Sequence, residues 1–159
     1  MPPIAAVLHT ENDALRLGRL LETLYPCDEI LVVDHGSSDA TLQVAREYGA
    51  KTVAGSNGAT NEQYLQSIRS NWILWLDPRE SVSEGLAASL FEWKSGAVLN
   101  GGVAFSMFLR EETAGGWVEH ASAQTRLVPS TWNRWAGRLP SADPSAVTLE
   151  GELLRFAFP

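Results

Sequence analysis

Two aspartates stand where apolar runs end. Ile30-Leu-Val-Val-Asp34 and Asn71-Trp-Ile-Leu-Trp-Leu-Asp77 each read as a strand that stops at a carboxylate. After Asp34 come Gly36, Ser37 and Ser38, a tight-turn cluster, and Asp39, whose carboxylate suits the first backbone N–H groups of a helix opening near Ala40. In open α/β sheets the edge at the carboxyl ends of the strands is where ligands bind. In isolation Asp34 and Asp39 fit a plain strand-to-helix turn equally well. A second strand tip bearing Asp77 tilts the reading toward a shared binding edge.

The elements that must position these carboxylates follow from the hydrophobic pattern. Ile4–His9 is a first strand, broken by Thr10-Glu-Asn-Asp13. Leu17, Leu20, Leu21 and Leu24 line one helix face, and Pro26 ends that helix. The helix after Asp39 turns Leu42, Ala45 and Tyr48 toward the sheet and stops at Gly49. Lys51–Val53 is a short strand, and Thr60–Arg69 a weaker helix around Leu65 and Ile68. Alternating strands and helices imply βαβ units and a mostly parallel sheet. Beyond Asp77, Ser81 and Glu84 read as a capping box opening a helix to about Trp93. Residues 96–102 read as loop, Val103–Leu109 and Thr125–Val128 as strands, Leu139–Pro144 as irregular, and Leu153–Phe158 as a last edge strand.

Composition bounds the function classes. The chain has 159 residues, enough for one sizeable core, and a formal net charge of -7, which argues against a nucleic-acid footprint. The one cysteine, Cys27, excludes an intrachain disulfide framework and fits a reducing compartment. No signal peptide and no span of roughly 20 apolar residues is evident, so cytoplasmic placement is the expectation. The first strand is followed by no glycine-rich turn, which sets aside a dinucleotide-dependent oxidoreductase, and no phosphate-binding loop ending in Gly-Lys-Ser/Thr occurs.

Several pieces together resemble family 2 glycosyltransferases of the GT-A fold. They are Val7-Leu-His-Thr-Glu-Asn-Asp13, Asp28-Glu-Ile-Leu-Val-Val-Asp34, His35-Gly-Ser-Ser-Asp-Ala-Thr41, the Ala45-Arg-Glu-Tyr-Gly-Ala50 helix end, and Trp72-Ile-Leu-Trp-Leu-Asp-Pro-Arg-Glu80. They cover roughly the first ninety residues. The resemblance implies a GT-A-like, nucleotide-sugar-binding α/β fold: a mostly parallel sheet with helices on both faces and a reduced C-terminal part. It implies one domain over 1–159, with a nucleotide-binding half at 1–95 and a reduced acceptor-side half at 96–159. It also implies a UDP- or GDP-type nucleotide-sugar donor. Thr10, Asn12 and Asp13 would line the nucleotide pocket with Gly36, Ser37 and Asp39. Asp34 would accept hydrogen bonds from the base, and Asp77 would face the ribose and diphosphate. An acceptor-only carboxylate suits ring N–H groups and ribose hydroxyls.

The departures are as specific. The family's Asp-x-Asp motif binds Mg or Mn, and the resemblance makes Asp77 the first ligand. The second position is Arg79, which cannot ligate a metal, and Pro78 precedes it. Glu62 stands where the family tends to have asparagine. Gly137-Arg-Leu139 resembles the stretch before a His-Glu pair, but Pro140 and Ser141 occupy the pair's place, so no general base is assigned by match. Arg79, whose guanidinium could replace a metal, and the adjacent Glu119 and His120 are the candidate catalytic groups. Trp117, Trp132 and Trp135 fall in loop-like sequence, as sugar-stacking platforms or as a lid. A shortened acceptor side that leaves apolar surface uncovered would favour a homo-oligomer. Two functions stand open: sugar transfer with an altered site, or a catalytically inactive relative that binds nucleotide or a protein partner.

Overall fold

The computed structural model describes residues 2–96 and 103–159. Part of the loop expected at 96–102 therefore lies outside the described residues. The chain runs β1 (Ile4–Thr10), α1 (Ala14–Leu21), β2 (Glu29–Asp34), α2 (Thr41–Glu47), β3 (Lys51–Ala54), a 3-10 helix (Asn61–Ser67), β4 (Trp72–Leu76), β5 (Glu80–Val82) and α3 (Glu84–Lys94). Then come β6 (Phe105–Thr113), β7 (Gly116–Glu119), β8 (Gln124–Pro129), β9 (Trp135–Ala136), β10 (Leu139–Pro140) and β11 (Val147–Arg155).

One sheet takes in nine strands in the order β3-β2-β1-β4-β8-β6-β11-β5, with β7 paired to β6. The pairings make β1, β2, β3, β4, β6 and β11 run one way and β5, β7 and β8 the other. The sheet is thus mostly parallel, as expected, with its antiparallel members beyond β4. β1 is central and buried along its whole length. Its residues alternate: Ile4, Ala6 and Leu8 join a core with α1, α2 and α3, while Ala5 and Val7 join a second core on the opposite face. That second face is covered by Tyr64 and Leu65 of the 3-10 helix and by Trp132, Trp135 and Leu139. Helical structure flanks both faces, α on one and 3-10 on the other.

Four local expectations need correction. Ser83, not Ser81, caps α3, accepting from the Leu86 N–H at 3.2 Å. Ser81 belongs to β5, a three-residue strand that pairs antiparallel with β11 and was not anticipated. The last strand starts at Val147 and is no edge, because β6 and β5 flank it. Trp132 is a core side chain only 5% exposed, and its indole N–H donates to the Arg134 carbonyl. Tyr48 lies exposed against Gly18 of α1 instead of facing the sheet.

Candidate functional site

Parallel pairing brings the strand tips together. Thr10 lies beside Asp34, and Leu8 beside Leu76, so the loops after β1, β2 and β4 emerge at one edge. Most of the polar residues there brace the loops. Asp34 accepts from the Ser37 N–H at 3.1 Å and from the Ser37 hydroxyl. Asn12, held at φ 55, accepts from the Ser38 N–H at 2.8 Å and donates its own N–H to Ser37 Oγ at 2.8 Å. Asp39 accepts from the N–H groups of Thr41 (3.0 Å) and Ala14 (3.2 Å), so one carboxylate serves the starts of two helices. Asp13 accepts from the Thr10 hydroxyl at 2.6 Å and lies 3.5 Å from the Arg16 guanidinium. Gly36 supplies the positive φ of the turn, at 80°.

Two cavities open at this edge. The first, about 260 Å³, is lined by His9, Glu11, Asp13, Arg16, Asp77, Arg79 and Arg138 among others. The second, about 660 Å³, lies beside it and shares His9 and Arg138. Its walls include His35, Asn61, Tyr64 and Trp135. Of the residues anticipated from the sequence, Asp13, Asp77 and Arg79 meet in the first cavity. Thr10, Asn12, Asp34, Gly36, Ser37 and Asp39 line neither. Glu119 and His120 line a third cavity, of about 620 Å³, with Phe108 and Glu152. Glu119 pairs there with Arg110, and His120 with Glu111.

Asp77 and Arg79 close on each other. Arg79 Nε donates to Asp77 Oδ1 at 2.9 Å, its NH2 group to Oδ2 at 3.0 Å, and its backbone N–H to Oδ1 at 2.9 Å. Burial would raise the Asp77 carboxyl, but these donors outweigh it and hold the group below the usual carboxylate range. The turn is fixed from beneath. Glu80 is fully buried, takes the Asp77 N–H at 2.9 Å, and forms a bidentate pair with buried Arg126 at 2.6 and 2.8 Å. Arg155 adds a third partner at 3.0 Å.

A directed chain of hydrogen bonds runs along the wall of the larger cavity and reaches the smaller one at His9. Asn61 donates its amide N–H to the Gly137 carbonyl at 3.0 Å, which turns its oxygen toward His9 Nε2, also at 3.0 Å. His9 therefore carries its proton on Nε2, and Nδ1 accepts from His35 Nε2 at 2.8 Å. Burial, with smaller effects from Arg138 and His35, lowers His9 to about 4, and burial lowers His35 as well, so both imidazoles are neutral near pH 7. Gly55 makes room: a Cβ there would meet His35 Nδ1 at 2.3 Å. Above the pair, Trp135 packs edge-on against Trp75 at 4.9 Å and donates to Glu62.

Arg138 was missed as a site residue. It is exposed, reaches both cavities, and forms no ion pair with a carboxylate among the described residues. The Gly137-Arg138-Leu139 resemblance was the available signal, but nothing local in the sequence says that β10 docks next to β4. A divalent cation does not fit the residues present. Both Asp77 oxygens are engaged by Arg79, and no group of three or more His, Cys, Asp or Glu side chains gathers at metal-holding distance among the described residues.

No family model matches the chain. It is 34% identical over 92 residues to an uncharacterized glycosyltransferase of Rickettsia felis, covering 54% of this chain and 32% of that protein. A TPR repeat-containing protein of Synechococcus elongatus is 30% identical over 126 residues, 76% of this chain and 30% of that protein. The chain thus spans about a third of the length of the curated relatives it matches. Among solved structures, mannosyl-3-phosphoglycerate synthase from Rubrobacter xylanophilus superposes with a TM-score of 0.57 at 21% identity, over 71% of this chain and 42% of that one. Glucosyl-3-phosphoglycerate synthase from Mycobacterium tuberculosis, solved with Mn2+, UDP and glucosyl-3-phosphoglycerate, gives 0.52 at 20% identity, over 69% and 44%. These likenesses establish a GT-A-type fold and a chain that is glycosyltransferase-like.

Proposed function

We propose that this chain is the donor-binding part of a metal-independent family 2 glycosyltransferase, taking a UDP- or GDP-type sugar. The diphosphate lies in the smaller cavity and the nucleoside in the larger one, with His9 and Arg138 bordering both. The observation that carries this reading is the convergence of Arg16, Arg79 and Arg138 on one cleft at the carboxyl edge of β1 and β4. Arg16 and Arg79 already face Asp13 and Asp77, whereas Arg138 pairs with no carboxylate among the described residues and can take an anion. A leaving nucleoside diphosphate needs its developing charge neutralised, and guanidinium forks match phosphate oxygens. In the larger cavity Tyr64 and Trp135 offer apolar walls to a base, and Asn61 and Glu62 offer polar groups.

The donor side is then residues 1–95 plus Arg138, which reaches in from the half expected to serve the acceptor. A reducing, cytoplasmic setting fits the lone Cys27, whose thiol burial pushes up to about 12. No helix among the described residues is long and apolar enough to cross a membrane.

The closed Asp77–Arg79 pair favours a second reading, a module that holds nucleotide without transferring sugar. Titration calorimetry with UDP, GDP and their sugars, run beside a donor-hydrolysis assay, separates the two. Binding with turnover supports the transferase, and binding without turnover supports the module. Arg138→Ala should weaken binding by about tenfold or more, the value of a charge-assisted hydrogen bond. Absence of binding by every nucleotide would sink both readings.

A further inference from the structure

We infer that Arg79 is the resident cation of this cleft and that its fork on Asp77 keeps a divalent metal ion out. The inference deepens the donor-site reading and takes its ligand from it; the exclusion of metal stands on the fork itself. Three N–H donors from one residue occupy both oxygens of Asp77 at the tip of β4. Mg or Mn would need several oxygen ligands and would have to displace all three donors. It would also face Arg16, Arg79 and Arg138, three guanidiniums on the wall of one cleft. Of the other two carboxylates on the wall, Asp13 is committed to the Thr10 hydroxyl, the Glu11 N–H and Arg16, and Glu11 does not gather with two further metal-holding side chains among the described residues.

The fork can nevertheless open to an anion. The Arg79 side chain is 44% exposed, and an ion pair so exposed holds only weakly against solvent. A diphosphate presents several charged oxygens where Asp77 presents two. Arg79 can therefore turn its NH groups to the phosphate, and Asp77 is then released to accept from a ribose hydroxyl. The backbone of the turn does not move in this exchange, because Glu80 holds the Asp77 N–H and the Phe156 N–H holds the Arg79 carbonyl at 2.9 Å.

The test compares the wild-type chain with Arg79→Asp and Arg79→Gln, each checked for folding by circular dichroism. Free Mn2+ is followed by electron paramagnetic resonance, and UDP affinity by calorimetry in chelator or in Mn2+. For the wild type, the Mn2+ signal should be unaffected by protein, and UDP affinity should agree within about twofold in the two buffers. Both substitutions should weaken UDP binding by about tenfold in chelator, since each removes the cation. Mn2+ should restore binding only to Arg79→Asp, which supplies a second carboxylate. Quenching of the Mn2+ signal by wild type and its loss in Asp77→Asn would overturn the inference. A tenfold gain in wild-type UDP affinity on adding Mn2+ would overturn it too. If UDP binds in neither buffer, the donor-site reading fails, and the Mn2+ signal alone still decides whether metal is excluded.

Discussion

Removing the carboxylate of Glu80 should unfold this protein more readily than any change in the cleft itself. Glu80 and Arg126 are both 0% exposed, joined by bonds of 2.6 and 2.8 Å. Arg155 and the Asp77 N–H take the remaining acceptor positions. Glu80→Ala leaves the Arg126 guanidinium charged, buried and facing a void. Breaking a buried pair from one side costs about 3–5 kcal/mol, against a total stability of about 5–15 kcal/mol for an ordinary domain. For a chain of this size that lowers Tm by about 6–20 °C. Arg155 softens the loss little, since it lies closer to solvent and cannot repair Arg126. Thermal melts followed by circular dichroism measure the effect directly. The double change Glu80→Leu with Arg126→Met removes both charges and should recover most of the loss, because an apolar pair of similar volume is often neutral or better. A Glu80→Ala protein melting within about 2 °C of wild type would refute the reasoning.

Two further outcomes are expected. Glu29, held by the Ser70 hydroxyl, the Arg69 and Ser70 N–H groups and Lys51, has its carboxyl lowered from 4.5 to about 2 although burial opposes this. A depressed folded value means its stabilisation is complete above about pH 4.5 and is lost as pH falls toward 2. The difference in urea midpoint between wild type and Glu29→Gln should therefore shrink from pH 7 to pH 3, and a constant difference would contradict the assignment. Gly151 sits at φ +94 in the β11 bulge, where a Cβ would lie 2.2 Å from the Leu86 backbone nitrogen. Gly151→Ala should cost at least about 2 kcal/mol in urea unfolding, from backbone strain and from overlap with a helix backbone that cannot yield. A midpoint equal to wild type would show that the bulge relaxes freely.

The sequence alone determined the parallel half of the molecule. Continuous apolar runs and helical stripes of period 3.6 are local signals, and Ile4–Leu8, Ile30–Val33 and Trp72–Leu76 carry the first without interruption. Once those strands are parallel, Thr10, Asp34 and Asp77 must share an edge. Only the tertiary structure decided what that edge contains. Asp34 is spent on Ser37 and Asp77 on Arg79, while Arg138 enters from the turn between β9 and β10, more than fifty residues beyond β4. Glu80 of β5 and Arg126 of β8 lie 46 residues apart in sequence, yet they pair fully buried in the folded chain. Hydrophobic periodicity records which face of an element is buried. Which charge partners which is set by packing between segments far apart in the chain, and no local pattern encodes that.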